Sequence, residues 1–491
     1  MKGYGEKMGR ELKVAVWELT VMCNMRCGHC GSSCQNAAED ELTTEEALKL
    51  CDDLGEIGLK QVTLSGGEPT TRGDWHLIAA RCVKNGIHTN MITNGWLLTP
   101  ELIKKAKDAG MNTVAISVDG LQETHDRIRR PGSYEKDIRA LKWIKEAGLH
   151  SAVITTIQKQ NIAQLPKLYE IFDELGLDTW QLQMALPMGN FKERSDEMID
   201  PADMFEIINF AHSKLHGRMM VDLGDCIGYY TKKDTDIRKK RYGEHAEWLG
   251  CSAGKYSIGI LCNGDIVGCT SMRTKEYIEG NIRQKSIRDI WTDPDGFKWN
   301  RALKKEDLGG NCKTCAYGDY CLGGCSNQRM CLNGSIKSGN QYCAYSQKVD
   351  SMRAMIKENS DASELEYLLQ KMLDSKQNNL ARAVLGRLDE LGTRPAFYKD
   401  VDAFLCFFEK DYSKCRDINK ELIEDNPKNY QALKGYGLAL YKLGNTEEAL
   451  EYLYKSLESR NPDYYNDLMA VLKEEKRIEE FEKVKMAMNK L

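Results

Sequence analysis

Two hydrophobic periodicities share this chain. Over the first two hundred residues short apolar runs alternate with amphipathic stretches. Val14-Ala15-Val16-Trp17-Glu18-Leu19 has the near-continuous apolar character of a buried strand. Gln61–Leu64, His88–Ile92, Thr113–Val118, Ala152–Ile157 and Thr179–Met184 repeat it. Helical patterns fall between them: one begins near Thr43, a candidate N-cap with Glu46 three residues on, others cover Pro100–Ala109 and Tyr134–Ala147, and a last one follows Asp203. That alternation predicts parallel βαβ units, and six of them make an incomplete (β/α) barrel. After about Ser351 only the helical period remains. Ala381, Cys415 and Ala449 recur at an interval matching the ~34-residue helix-pair repeat, and Ala403 and Gly437 follow the same spacing. The clearest unit is Ala432–Pro462, with Gly437, Tyr441, Gly444 and Ala449 as packing positions and degenerate units on either side.

Cysteines change the picture most. The chain has 491 residues and eighteen cysteines, with a formal net charge of −4. No apolar run is long enough to span a bilayer, and the N-terminus has no signal-peptide core. The expectation is a cytoplasmic protein that uses its thiols for metal rather than for disulfides. Mild acidity argues against a nucleic-acid surface. Most of the cysteines fall into two groups.

The first group is Cys23, Cys27 and Cys30, spaced Cys-x3-Cys-x2-Cys in the loop after the first strand. Three thiolates can hold three irons of a cubane cluster and leave the fourth iron open. A zinc site closed by His29 or Cys34, or a metal-free thiol group, is the alternative on the triplet alone. Loops at the carboxyl ends of strands are where α/β barrels place chemistry. The second strand leads into Ser65-Gly66-Gly67-Glu68-Pro69. Two glycines let the backbone approach a ligand closely, and a carboxylate beside them can accept hydrogen bonds from an ammonium group. Thr93-Asn94-Gly95 and Ser117-Val118-Asp119-Gly120 end the third and fourth strand candidates, and Arg129 lies just beyond. Arg129 could pair with a carboxylate or stand solvated.

The triplet, the Gly-Gly-Glu-Pro element and their order resemble the radical S-adenosylmethionine (SAM) enzymes. The resemblance implies a partial (β/α)6 barrel and a [4Fe–4S] cluster on Cys23, Cys27 and Cys30. It also implies SAM held by Gly66, Gly67, Glu68, Pro69, Thr93, Asn94, Ser117, Asp119 and Arg129. Reductive cleavage would yield methionine and a 5′-deoxyadenosyl radical. Met184–Asn190 would lie near the adenine.

The second group runs Cys251-x12-Gly264-x4-Cys269, then Cys312-x2-Cys315-x5-Cys321-x3-Cys325-x17-Cys343. Taken alone, its tight core reads equally as structural zinc. Its order resembles the SPASM extension of radical SAM enzymes, a small α+β domain holding two auxiliary [4Fe–4S] clusters. The resemblance gives Cys312, Cys315, Cys321 and Cys343 to the outer cluster and Cys251, Cys269 and Cys325 to the inner one. Cys262, in a hairpin-like turn, is the expected fourth inner ligand, with Cys331 or an open iron as alternatives. Thr270 stands where sulfatase-maturing relatives carry an aspartate base, which weakens that reading. Cys51 and Cys82 read as core, and Cys226 as a candidate hydrogen-atom donor.

The expected domains are a radical SAM barrel over 1–225, a SPASM domain over 226–350 and tetratricopeptide-like repeats over 351–491. The expected reaction is hydrogen abstraction from a ribosomally made peptide, forming a thioether or carbon–carbon crosslink. Radical oxidation of a tetrapyrrole or quinone-cofactor precursor, or a non-catalytic iron–sulfur scaffold, are the alternatives. Expected partners are the peptide and a reductant such as flavodoxin or ferredoxin, with no membrane and no nucleic acid. Fewer than about fifteen residues precede the first strand, too few to fold alone. Peptide recognition is therefore expected from a separate protein or from the repeats.

Overall fold

A computed structural model describes residues 11–243 and 248–490. The chain divides into two compact units, Met1–Lys348 and Val349–Leu491.

The first unit is built on one ten-stranded sheet. Its strands are β1 (Val14–Glu18), β2 (Gln61–Ser65), β3 (His88–Thr93), β4 (Thr113–Ser117), β5 (His150–Ile157), β6 (Thr179–Met184), β7 (Met220–Leu223), β8 (Ser257–Ile260), β9 (Asp265–Val267) and β10 (Ile278–Asn281). β1 to β7 pair in sequence order, all parallel, as short crossovers through helices dictate. All six strands expected from the sequence are present. β7 is an addition: four residues are too few to show a period, and pairing with β6 is what makes them a strand. On the other edge β8 pairs parallel to β1, and β9 and β10 follow antiparallel. The second cysteine region thus extends the barrel sheet.

The two faces of the sheet differ. Trp17, Val62, Leu64, Met91, Val114, Ile116, Val153, Trp180 and Leu182 point into one apolar core against the helices. The residues between them point the other way. Ile92, Ala115, Ala152 and Ile154 make a separate small apolar patch there. Thr63, Ser65, Asn90, Ser117, Thr156, Gln181 and Gln183 are only half-buried on that same alternation, so the concave side mixes polar positions with that apolar patch.

Local signals act as read. Thr43 caps the helix Thr44–Glu56 with a reciprocal capping box to Glu46. Cys51 and Cys82 are core residues, their sulfurs 3.3 Å apart. The hairpin at Leu261–Gly264 forms between β8 and β9.

The second unit contains four helix pairs: Ala362–Asp374 with Asn378–Glu390, Tyr398–Phe408 with Tyr412–Asp425, Tyr430–Lys442 with Thr446–Ser456, and Pro462–Glu474 with Ile478–Met488. Their second helices begin at residues 378, 412 and 446, which is the repeat period, and at 478, two residues short of it. Ala381, Cys415 and Ala449 are all buried. No helix among the described residues is long and apolar enough to cross a membrane.

Candidate active site

The cysteine loop runs from the end of β1 and is fixed from three sides. The turn after β2 approaches it closely. A Cβ on Gly66 would collide with the carbonyl of Thr20, and one on Gly67 with that of Met22. Gly67 and Glu68 N–H groups donate to those carbonyls at 2.8 Å each. These two positions are therefore glycine because backbone meets backbone. From the sixth strand's loop, Asn190 Nδ2 donates to the Cys27 carbonyl at 3.0 Å, and its N–H to that of Cys30 at 2.9 Å. From below, Gly28 N–H donates to the Ile128 carbonyl.

Glu68 is fully buried. Its carboxylate accepts from Thr70 N–H and hydroxyl, from Thr93 Oγ1 at 2.7 Å and from Asn94 N–H at 2.7 Å. Burial raises its pKa and these donors oppose the rise. The carboxylate is thus a strut joining the ends of β2 and β3, already engaged by protein donors. Pro69 starts the short helical turn that Glu68 caps. Asn94 Nδ2 in turn donates to Asn24 Oδ1 at 2.7 Å and lies 3.9 Å from Cys23 Sγ. Ser117 ends β4 on the open face, half-buried.

Asp119 and Arg129 meet each other rather than solvent. Arg129 Nε lies 2.5 Å from Asp119 Oδ2, with both side chains buried. His29, inside the cysteine loop, places Nε2 3.2 Å from the same carboxylate oxygen. Burial holds His29 at about 4, so its imidazole is neutral at physiological pH. His125 Nδ1 accepts from the Asp119 N–H at 3.1 Å, and its Nε2 lies 3.2 Å from Asp137.

The three thiols of the loop share one neighbourhood. Burial pushes Cys27 up to about 11; Arg129 lowers it, while Asp119, Cys30 and Cys23 raise it further. A cation that balances several thiolates suits that group. Two buried polar atoms of this loop, Asn24 Nδ2 and His29 Nδ1, have no partner. A mouth with an unsatisfied amide donor and an unsatisfied imidazole acceptor, three thiols and backbone held at a glycine turn fits a thiolate-bound cluster carrying a polar amino-acid ligand.

In the second group the thiols act on one another electrostatically in two sets. Cys343 is raised by burial and then by Cys321, Cys312 and Cys315. Cys325 is raised by burial and then by Cys251, Cys226 and Cys269. Cys262 does not join that second set. It stands at the β8–β9 turn, and its thiol, pushed up to about 12 by burial, feels Glu18, Glu41 and Asp40. The β8–β9 turn sets Cys262 beside the end of β1.

Other contributors were silent in the sequence. Glu18 ends β1 on the open face, is buried, and pairs with Arg273 at 2.9 Å; Arg273 also donates to Ser32 in the cysteine loop. Asn24 carries no motif of its own, and the contacts of His29 and Asn190 come only from the pairing of distant loops.

Comparison with known proteins decides the family. The radical SAM superfamily model matches residues 17–172, and the iron-sulfur cluster-binding domain model, SPASM, matches residues 251–316. The AdoMet-dependent heme synthase of Methanosarcina barkeri is 31% identical over 344 residues, 68% of this chain and 96% of that protein. The chain belongs to the radical SAM superfamily. It is also similar to the PqqA peptide cyclase of Granulibacter bethesdensis, 28% identical over 337 residues, 67% of this chain and 86% of that protein. Streptococcus suis SuiB bound to S-adenosylmethionine shares the fold, with a TM-score of 0.54 and 18% identity over 67% of this chain and 76% of that one. This radical SAM enzyme is therefore an iron–sulfur protein that uses SAM, with [4Fe–4S] clusters in its barrel and SPASM regions.

Proposed function

We propose that this enzyme oxidatively crosslinks a ribosomally made peptide. The observation that carries the reading is the chemistry of the concave sheet face. Thr63, Ser65, Asn90, Ser117, Thr156, Gln181 and Gln183 offer hydroxyls and amides on alternate strand positions. On the open face itself the charged groups at the strand ends include the carboxylates Glu18 and Asp222. Arg273 is spent on Glu18, and Arg241 lies 3.4 Å from Asp222. Uncharged donors and acceptors suit peptide amides. A substrate with several carboxylates needs unpaired cations instead.

In this reading Cys23, Cys27 and Cys30 hold the radical cluster. When bound with SAM, that cluster supplies a 5′-deoxyadenosyl radical for hydrogen abstraction. Gly66, Gly67, Pro69 and Ser117 border the SAM site. Glu68, Thr93 and Asn94 hold its β2 and β3 walls in register. Asp119 and Arg129 lock the floor and place a positive charge near Cys27. Cys312, Cys315, Cys321 and Cys343 hold the outer auxiliary cluster, and Cys251, Cys269 and Cys325 bind the inner one. The helix pairs supply peptide recognition, and a small electron carrier supplies the reducing electron.

A second reading is favoured by one observation: similarity to heme synthases extends over nearly the whole of those relatives. In that reading a tetrapyrrole loses propionate carboxyl groups. Anaerobic turnover with reductant and SAM separates the two. Short peptides encoded beside this gene, read by mass spectrometry, should lose two hydrogens. An iron porphyrin bearing propionates should emerge unchanged. Loss of carbon dioxide from the porphyrin, with every peptide intact, overturns the proposal.

A further inference from the structure

Cys226 lies on the loop after β7, outside both cysteine groups in sequence. The fold carries it to the inner set. Two reciprocal hydrogen bonds tie its loop to the segment around Cys325. Gln328 Nε2, three residues beyond Cys325, donates to the Cys226 carbonyl at 3.0 Å. Tyr229 Oη, three residues beyond Cys226, accepts from the Cys325 N–H at 2.9 Å. Tyr229 is itself held in the left-handed region, at φ 85°, with its hydroxyl donating to the Asp225 carbonyl. A bulky residue in that conformation is strained, and the surrounding contacts hold it there. Gly324 must be glycine because a Cβ would strike the Tyr229 ring.

The result is a clamp of two four-residue segments, 226–229 and 325–328, with one cysteine at the head of each. Cys226 and Cys325 also border the same apolar core. Cys226 is buried. Of the rival candidates, Cys262 lies apart from the inner set, while Cys331 neighbours Cys269. Cys262 faces Glu18 and Glu41. Cys331 Sγ lies 3.5 Å from Asn327 Oδ1 and 3.8 Å from Met188 Sδ.

We propose that Cys226 is the fourth ligand of the inner auxiliary cluster, completing Cys251, Cys269 and Cys325 and leaving no iron of that cluster open to substrate. Ligation replaces the thiol proton with iron, and the proton leaves to solvent without any redox change. The proposal rests on the inner-cluster reading above. It also makes the inner cluster an electron carrier, because a closed cluster cannot bind a substrate thiol.

The test uses the full chain carrying Cys23→Ala, Cys27→Ala and Cys30→Ala, so that only auxiliary clusters contribute. Iron is counted, and the paramagnetic spectra of oxidised and reduced protein are recorded. Adding Cys226→Ala should remove about one iron and produce the signal of an oxidised three-iron cluster. Cys226→Ser, which keeps a ligating oxygen, should retain the iron and shift the cluster to a lower reduction potential. Cys262→Ala and Cys331→Ala should match the background. Cys226→Ala or Cys226→Ser with unchanged iron and unchanged spectra overturns the inference, as does a three-iron signal from Cys262→Ala or Cys331→Ala. Cys251→Ala is the control for the underlying reading. If it leaves the iron unchanged, the inner cluster itself is absent; if it removes iron while both Cys226 variants change nothing, only the Cys226 assignment fails.

Discussion

Arg129 and Asp119 form an ion pair of 2.5 Å, sealed from solvent beneath the cysteine loop. Asp119 is held below the ordinary carboxylate range: burial pushes it up, but chiefly the Arg129 guanidinium outweighs it. Neutral His29 cannot replace the guanidinium. Arg129→Met should therefore leave a buried carboxylate uncompensated and cost about 3–5 kcal/mol. Asp119→Leu combined with Arg129→Met should recover part of that loss, since no buried charge remains. Denaturant unfolding of the cluster-free proteins measures both. A depressed carboxylate stabilises above its unfolded pKa, so the pair's contribution is complete at neutral pH and fades in the acid range.

Cys23→Ala, Cys27→Ala and Cys30→Ala together should abolish 5′-deoxyadenosine formation. Bound iron should fall from about twelve to about eight per chain, one cubane of three. Deoxyadenosine is read by chromatography and iron by chelation. Continued production at the wild-type rate would place the radical chemistry elsewhere.

Glu68 receives four donors on one buried carboxylate. Glu68→Gln keeps the shape but turns an amide N–H2 toward one of those donors. An unsatisfied buried donor costs about 1–3 kcal/mol. The thermal midpoint should drop accordingly, and SAM cleavage should slow because the β2 and β3 ends lose register. Wild-type behaviour in both would show that the strut is dispensable.

The repeats offer a paired glycine test. At Gly437 a new Cβ would sit 2.8 Å from Leu453 Cγ and 2.9 Å from the Ala449 carbonyl oxygen. Gly437→Ala should destabilise by about 1–3 kcal/mol through overpacking. Gly386, exposed on the helix Asn378–Glu390, has nothing within 4 Å of that position. Gly386→Ala should stabilise by about 1 kcal/mol, from helix propensity alone. Opposite shifts in circular-dichroism melts check the helix-pair packing.

Removing Ser363–Leu491 should leave SAM cleavage intact and weaken affinity for the peptide. Calorimetric titration on soluble, cluster-loaded protein reads the affinity. Equal affinity and turnover would make the helix pairs structural only.

The strands, the triplet loop, the Gly-Gly-Glu-Pro turn and the repeat period were legible in the sequence because each is local. Apolar period, thiol spacing and cap chemistry act over a few residues, and Thr43–Glu46 or the Ala381, Cys415 and Ala449 interval shows itself without a partner. What only the tertiary structure decided is pairwise and distant. β7 has no period of its own and exists because β6 offers an edge. Glu68 carries a carboxylate in any reading, but only the fold shows that Thr93 and Asn94 already occupy it. Arg129 had two readings until burial beside Asp119 chose one. Cys262 sat in the right order along the chain and Cys226 did not. Yet the β8–β9 hairpin turns Cys262 toward Glu18, while the Tyr229–Cys325 and Gln328–Cys226 hydrogen bonds bring Cys226 to the inner thiols. Ligand geometry depends on distance in space, and chain order constrains that distance only when the intervening segment is short.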